Sequence, residues 1–201
     1  RRIQTGIYAY NEMISLFFEQ KKLQPAKLTF SSQEWCGQSF KELVNFDNIS
    51  SYHYNTYWDG QGRGTFKVSF PEDLYLYDAL SVQLRMLNLS VGVTEEIDLL
   101  PSQISSKAKF PETRKATVKV LTQESITVPA GDFKCFKVEV SHPDGKDLYW
   151  LESEFPHRMI QWEAYNGDNC ELVDSQKIPY WEFNQPGGEK YLPENPKSIK
   201  K

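Results

Sequence analysis

Three cysteines and three histidines are the side chains of this 201-residue chain best suited to nucleophilic, acid–base or soft-metal chemistry. Cys36 stands in Trp35-Cys36-Gly37. A reactive thiolate needs a neighbouring histidine or other cation to hold its charge. His53, His142 and His157 are available, but no local context ties any of them to Cys36. The expectation is therefore a buried Cys36 packed beside Trp35 at a strand start, with Gly37 admitting a bulge. His157 follows Pro156 in a turn and has no second histidine or carboxylate at ligand spacing, so it is expected to bracket that turn while Arg158 pairs with Glu152 or Glu154. His53 lies between Tyr52 and Tyr54, so strand alternation sends it to the opposite face. If the tyrosines enter a core it meets solvent; if the sheet lines a cavity the roles reverse. Cys36, Cys135 and Cys170 match no zinc or CxxC spacing. An odd count leaves at least one thiol unpaired in a monomer, and the pairing of the rest stays open. No catalytic residue, metal ligand or cofactor is assigned.

Two further motifs resolve into structure. Asp59-Gly-Gln-Gly-Arg-Gly64 superficially resembles a phosphate-cradling loop, but Thr65 opens a strand where such a loop needs Lys-Ser/Thr and a helix. It reads as a hairpin tip. Glu95, Glu96 and Asp98 lack the spacing of a calcium loop and read as a solvated face. The aromatics are more suggestive. Trp58, Trp150, Trp162 and Trp181, with Tyr54, Tyr149, Tyr165 and Tyr180, suit a concave wall for an acyl chain or flat sugar. A helix-covered core accounts for many of them without a ligand. The binding wall is assigned to Trp58, Trp150, Trp162 and Tyr54. Tyr149 and Trp150 must face opposite ways, and Trp150 is placed inward because the Tyr149 hydroxyl tolerates solvent.

The elements that must carry these residues are strands. Residues 117–165 alternate β-branched and aromatic runs with the turns Pro129-Ala-Gly-Asp132, Pro143-Asp-Gly145 and Asn166-Gly-Asp168, the pattern of an antiparallel meander. Upstream strands are expected in residues 1–24 with an irregular start, at Leu28–Phe30, at Gln38–Val44, and in the hairpin Ser51–Trp58 with Thr65–Phe70, after a turn at Asp47–Ser50. One helix is expected over Pro71–Leu89. Ser69 is placed to cap it and Pro71 to open it, and Leu76, Leu80, Leu84 and Leu87 form its stripe. Residues 94–112 read as a connecting loop with strand fragments. The fold class is mainly β (α+β): a large curved antiparallel sheet or half-barrel with one main helix packed on it. One domain is expected over residues 1–201, with 180–201 a loosely ordered tail.

Composition narrows the partners. Aromatic content is 14%, with 11 Tyr, 12 Phe and 5 Trp, which favours pleated surfaces. The net charge of −4 lacks the basic footprint of a nucleic-acid binder. Lys197–Lys201 is a basic cluster expected to be a solvated terminus. No apolar run approaches the roughly 18 residues a transmembrane helix needs. The chain begins Arg1-Arg2 rather than Met, and is read as a trimmed or processed form from which any signal peptide or lipid-anchoring cysteine has gone.

Val128-Pro-Ala-Gly-Asp-Phe-Lys-Cys135, Tyr149-Trp150, Pro156-His-Arg-Met-Ile160 with Glu163, and Ser32-Gln-Glu-Trp-Cys-Gly37 together resemble an uncharacterised family of bacterial exported proteins. The resemblance covers about residues 30–165. It implies a β-rich periplasmic or outer-membrane-associated protein and no catalytic residues. More distantly the chain resembles the lipoprotein-carrier (LolA/LolB-like) half-barrels, in which helices cover a curved sheet over an apolar cavity. The leading expectation is a non-catalytic envelope protein binding an apolar or amphiphilic ligand such as a lipid. A structural or assembly module meeting another envelope protein is the alternative, with a hydrolase built on Cys36 or His157 behind both.

Overall fold

Period-2 alternation organises the whole chain into two sheets. The computed structural model describes residues 1–46 and 49–192, the side chain of Phe46 excepted. The first sheet is an antiparallel meander in sequence order: β1 (Arg2–Thr5), β2 (Tyr8–Phe18), β3 (Pro25–Glu34), β4 (Gly37–Phe46), β5 (Ile49–Asn55) and β6 (Arg63–Lys67). The second has seven strands. These are β7 (Tyr75–Leu76), β8 (Thr94–Leu100), β9 (Arg114–Val128), β10 (Gly131–His142), β11 (Gly145–Glu152), β12 (Met159–Glu163) and β13 (Asn169–Glu171), again in sequence order. All pairings of the second sheet are antiparallel except β7 with β8, which are parallel. The mainly β, half-barrel expectation holds: this sheet is strongly curled. At the β9–β10 turn, Gly131 and Gly145 at the next turn both take positive φ, +126° and +154°, as the turn chemistry requires. The turn expected at Asp47–Ser50 falls partly outside the described residues, and Ile49 and Ser50 already belong to β5. The Lys197–Lys201 cluster lies outside them too. Residues 94–100, read as loop with strand fragments, form the full strand β8.

The expected Pro71–Leu89 helix is much shorter. Glu72 and Asp73 form a turn and Tyr75–Leu76 is a strand, so neither Ser69 nor Pro71 opens a helix. Helical structure runs from Tyr77 to Met86, as two 3₁₀ turns flanking one α-turn, α1 (Leu80–Gln83). The reason lies in where the leucines go. Leu74 and Leu76 pack with Leu28, Phe30, Leu43 and Tyr52 against the first sheet. Leu80 and Leu84 pack with Val118, Val138, Tyr149 and Leu151 on the second. A straight helix cannot serve both cores; an extended segment breaking into a short helix can. Gln83 fixes the change of direction: its Nε2 donates to Leu74 O and its Oε1 accepts from Leu76 N–H, both at 2.8 Å. The expected burial of Leu76, Leu80 and Leu84 is observed, each at most 1% exposed.

The segment 101–108 then crosses the inner face of the first sheet. Lys41, 1% exposed, sits there among Leu28, Phe30 and Leu43. Its Nζ donates to Gln103 O at 2.6 Å and lies 4.7 Å from the Phe30 ring centre. Ser39 Oγ donates to Ser106 O at 2.6 Å, and Tyr52 Oη to Gln103 Oε1 at 3.2 Å. Asp78 closes the arrangement, accepting from Gln103 N–H and Ser102 Oγ. The strap thereby satisfies Ser39, Lys41 and Tyr52, polar groups that the sheet would otherwise bury alone.

Two consequences are measurable. Leu80→Ala should cost roughly 2–5 kcal/mol in urea denaturation; a loss under about half a kcal/mol would mean that α1 stands off the sheet. Burial lowers the Lys41 ammonium from 10.5 to about 8, partly opposed by Asp78. A depressed lysine pKa makes the charged form a cost in the native state below pH 8. Between about pH 8 and 10.5 the unfolded chain still holds the proton the native state has lost, so stability contributed by this site rises with pH. The stability difference between wild type and Lys41→Met should therefore shift in favour of wild type across that window, and a flat difference contradicts the burial.

Candidate functional site

Ladder register builds one apolar row across the second sheet. Val120 pairs with Val138, Val138 with Tyr149, Tyr149 with Trp162, and Trp162 with Cys170. Directly paired residues share a face, so all five point toward the helical segment. The helical turn covers only part of this row. Beside it remains a cleft of about 500 Å³. Its apolar wall is Tyr149, Met159, Trp162 and Cys170, and its polar side includes Arg1, Asp78, Ser81, Ser102 and Asp168. Ser102 and Ile104 enter as the outer edge of the strap, so the Lys41 anchor holds one wall in place. The indole Nε1 of Trp162 is buried with no well-aligned hydrogen-bond partner among the described residues. The Tyr149 hydroxyl lies beside it, and an acceptor of better geometry would strengthen its pairing.

Tyr77 and Tyr165 mark the end of the cleft, and behind them lies a buried carboxylate. Asp147 is fully buried. Its Oδ1 accepts from Tyr165 N–H at 2.7 Å, and its Oδ2 lies 3.2 Å from His142 Nε2. The His142 ring packs edge-on against both tyrosines, with centroids 5.5 and 5.1 Å away. Burial, with the negative charge of Asp147 beside it, pushes the Tyr77 phenol pKa up, so Tyr77 stays a neutral donor at physiological pH. The pair arises from the tight Pro143-Asp144 turn, which sets His142 opposite Gly145 and Asp147 two residues along the other strand, on the same face. Gly145 is needed there for a second reason: a Cβ would come within 2.6 Å of Tyr165 Cβ. From sequence His142 stands out only as an available histidine and Asp147 not at all; the turn motif between them is the signal that could have paired them. A His–Asp pair can orient an imidazole as a general base, but it needs a hydroxyl or thiol on the other side. The nearby Ser102 hydroxyl instead donates to Asp78.

The residues singled out in the sequence scatter. Only Trp162 of the four assigned aromatics lines this cleft. Tyr149 is the inward member of its pair. Trp150 faces the opposite side with Val128, Cys135 and Ile160, its Nε1 donating to Glu124 Oε1 at 2.7 Å under the Lys137 ammonium. The placement of Trp150 in the same surface as Trp162 is thereby corrected: the bulge at Ile160 lets the opposite face close under the β9–β10 hairpin, where Ala130 N–H donates to Leu172 O. Trp58 caps the strap, donating to Ser106 Oγ with Lys107 over its ring. Tyr54 stacks on Phe66 at the margin of the first core and crosses Gly64. Trp181 and Tyr180 are exposed in a 3₁₀ turn.

Cys36 is exposed rather than buried, and Trp35 is 74% exposed; a two-residue hairpin turn carries both outward. Glu34 raises the Cys36 thiol pKa, which disfavours the thiolate. All three cysteines are free, and burial pushes the Cys135 thiol to about 11. His157 does bracket its turn, its Nδ1 lying 2.9 Å from Glu152 O, and Arg158 pairs with Glu152 through Nε and Nη2. His53 faces solvent beside Thr65 while Tyr52 is buried, as alternation requires. Of Asp59–Gly64, residues 59–62 lie in the β5–β6 hairpin loop, and Arg63 and Gly64 already belong to β6. No group of three or more His, Cys, Asp or Glu suited to a metal occurs among the described residues, and no helix there is long and apolar enough to cross a membrane.

The family model for proteins of unknown function, DUF3108, matches residues 4–168. The chain belongs to this family. The match spans both sheets, from β1 to the turn before β13, and so includes the strap, most of the cleft wall and the His142–Asp147 pair. A crystal structure of a DUF1089 family protein from Pseudomonas aeruginosa aligns with 14% identity and a TM-score of 0.49, covering 79% of this chain and 78% of that one. At that similarity it carries no functional argument. Comparison with curated proteins gives no match.

Asp147→Ala should lower stability by roughly 1–3 kcal/mol, because Tyr165 N–H and His142 lose a buried partner. An unfolding midpoint unchanged from wild type would show that the carboxylate does not hold this end of the cleft.

Proposed function

We propose that the chain is a non-catalytic binding protein of the bacterial cell envelope that takes an apolar or amphiphilic ligand, such as a lipid, in the cleft beside α1. The observation that carries this reading is the cleft's division into two chemistries. One wall is Tyr149, Met159 and Trp162; the other bears Arg1, Asp78, Ser102 and Asp168. An apolar tail gains from covering the first wall, at about 25 cal/mol per Å² removed from water. A polar head keeps its hydrogen bonds on the second. Trp162 adds an indole donor without a well-aligned partner at the boundary. The volume, about 500 Å³, suits one medium acyl chain rather than a whole phospholipid. The envelope setting and the lipoprotein-carrier comparison rest on the resemblance of the hairpin motifs. A hydrolase is disfavoured by the His142–Asp147 pair having no hydroxyl or thiol bonded to its imidazole among the described residues.

Titration with lauric acid should change tryptophan fluorescence saturably. Trp162→Phe should remove most of the signal, and Tyr149→Ala should weaken binding by about tenfold or more, as expected for loss of roughly 1.4 kcal/mol of contact. Trp150→Phe should bind as wild type. Linear, non-saturating quenching, or equal loss in Trp150→Phe and Trp162→Phe, would exclude the cleft as the site.

A further inference from the structure

On the outer face of the first sheet a second and chemically different depression opens, lined by Arg2 where the neighbouring Arg1 lines the cleft. It has a volume of about 400 Å³ and is rimmed by Tyr8 and Trp35, with Arg2, Gln4, Asn11 and Gln33 across its floor. Register puts three of these in one cross-strand row: Arg2 pairs with Asn11, and Asn11 with Gln33. All three are exposed. The side-chain amides of Asn11 and Gln33 have no hydrogen-bond partner among the described residues, whereas Gln4 is held by Gly6 O, Tyr8 O and Arg2. Trp35 is 74% exposed, yet it is not loose. One face of its indole stacks on Tyr8, with centroids 5.8 Å apart and planes inclined by 25°. Its backbone is set by the tight β3–β4 hairpin, where Glu34 pairs with Gly37 and Glu34 Oε2 accepts from Cys36 N–H. The other indole face is left to solvent.

We infer that this depression is a glycan-binding site, in which the pyranose ring of a neutral β-linked oligosaccharide stacks on the free face of Trp35 while Asn11 and Gln33 hydrogen-bond its hydroxyls. Each part of the arrangement answers one feature of such a ligand. A sugar ring presents a patch of C–H groups that fits an aromatic face, and an indole braced from behind loses little freedom on contact. Vicinal hydroxyls each act as donor and acceptor, and a primary amide supplies both from one plane. Neighbouring strands are about 4.8 Å apart, so the amides of Asn11 and Gln33 can address adjacent hydroxyls without moving the backbone. Arg2 adds donors at the end of the row. A lipid tail fits poorly here, because Ile7 and Ala9 are the only aliphatic residues of a lining otherwise made of amides, the Arg2 guanidinium, the Glu34 carboxylate and two aromatic rings. This site is independent of the amphiphile reading: it lies on the other sheet, and Trp35 does not line the cleft.

Isothermal titration calorimetry of the full chain with chitohexaose and with cellohexaose tests the inference. At least one should bind saturably. Trp35→Ala should weaken that binding by tenfold or more, Trp35→Tyr should restore most of it, and the double variant Asn11→Ala/Gln33→Ala should lose about as much as Trp35→Ala. Met13→Ala, two residues along the same strand, should bind as wild type, and lauric acid binding should be unchanged in every one of these variants. Absence of saturable heat with both hexasaccharides, or full binding by Trp35→Ala, overturns the inference. So does the finding that Trp35→Ala loses binding to phosphatidylglycerol vesicles while the hexasaccharides never bind, which would make the hairpin tip a membrane contact.

Discussion

One buried ammonium ties the two sheets into a shape that has a cleft at all. Lys41 sits on the apolar face of the first sheet, and burying its charge is costly unless carbonyl oxygens replace the lost water. The strap 101–108 supplies them through Gln103 and Lys107. That requirement draws the strap across the sheet, places Gln103 between Tyr52 and Asp78, and leaves Ser102 and Ile104 standing at the edge of the cleft. An apolar residue at position 41 would fill the same space without dictating where the strap runs. The charge is therefore a device of specificity more than of stability, in keeping with the modest net worth of buried ionic groups.

The cleft exists because the helical element is short. Had residues 71–89 formed one long helix on the second sheet, the row from Val120 to Cys170 would have been covered along its length. Instead the leucines are divided, Leu74 and Leu76 to one core and Leu80 and Leu84 to the other, with the Gln83 side chain holding the junction. The β12 end of the row, Trp162 and Met159, is left half-covered. At the polar end the buried Asp147 is held by its own hairpin, by Tyr165 N–H and by His142, with Tyr77 at the start of the helical segment packed beside them.

Much of this was legible from residue types. The meander from Arg114 to Glu171 followed from alternation and from Pro-Asp-Gly and Asn-Gly-Asp turns, because those signals are local. The helix was misjudged because leucines at four-residue steps fit a helical stripe, and nothing local reveals that Leu76 and Leu80 serve different sheets. The strap fell within the stretch read as a connecting loop with strand fragments, since its meaning depends on Lys41, some sixty residues away in sequence. For the site, alternation correctly separated Tyr149 from Trp150 but could not say which side was covered. A hydroxyl's tolerance of solvent proved a weaker guide than ladder register, which runs Tyr149 into Trp162 and Cys170. Cys36 and Trp35 looked like core residues because of their types; the two-residue hairpin that turns them outward shows only in the pairing.

The central claim is that the half-covered row of the second sheet, not the aromatics elsewhere, receives the ligand. Photolabelling with a diazirine-bearing fatty acid, followed by peptide mapping, tests it directly. The account predicts saturable labelling concentrated on peptides from β11 and β12, around Tyr149, Met159 and Trp162, that excess lauric acid suppresses. Labelling concentrated instead around Trp58, Trp150 or the exposed Trp181, or labelling that lauric acid does not suppress, would contradict it.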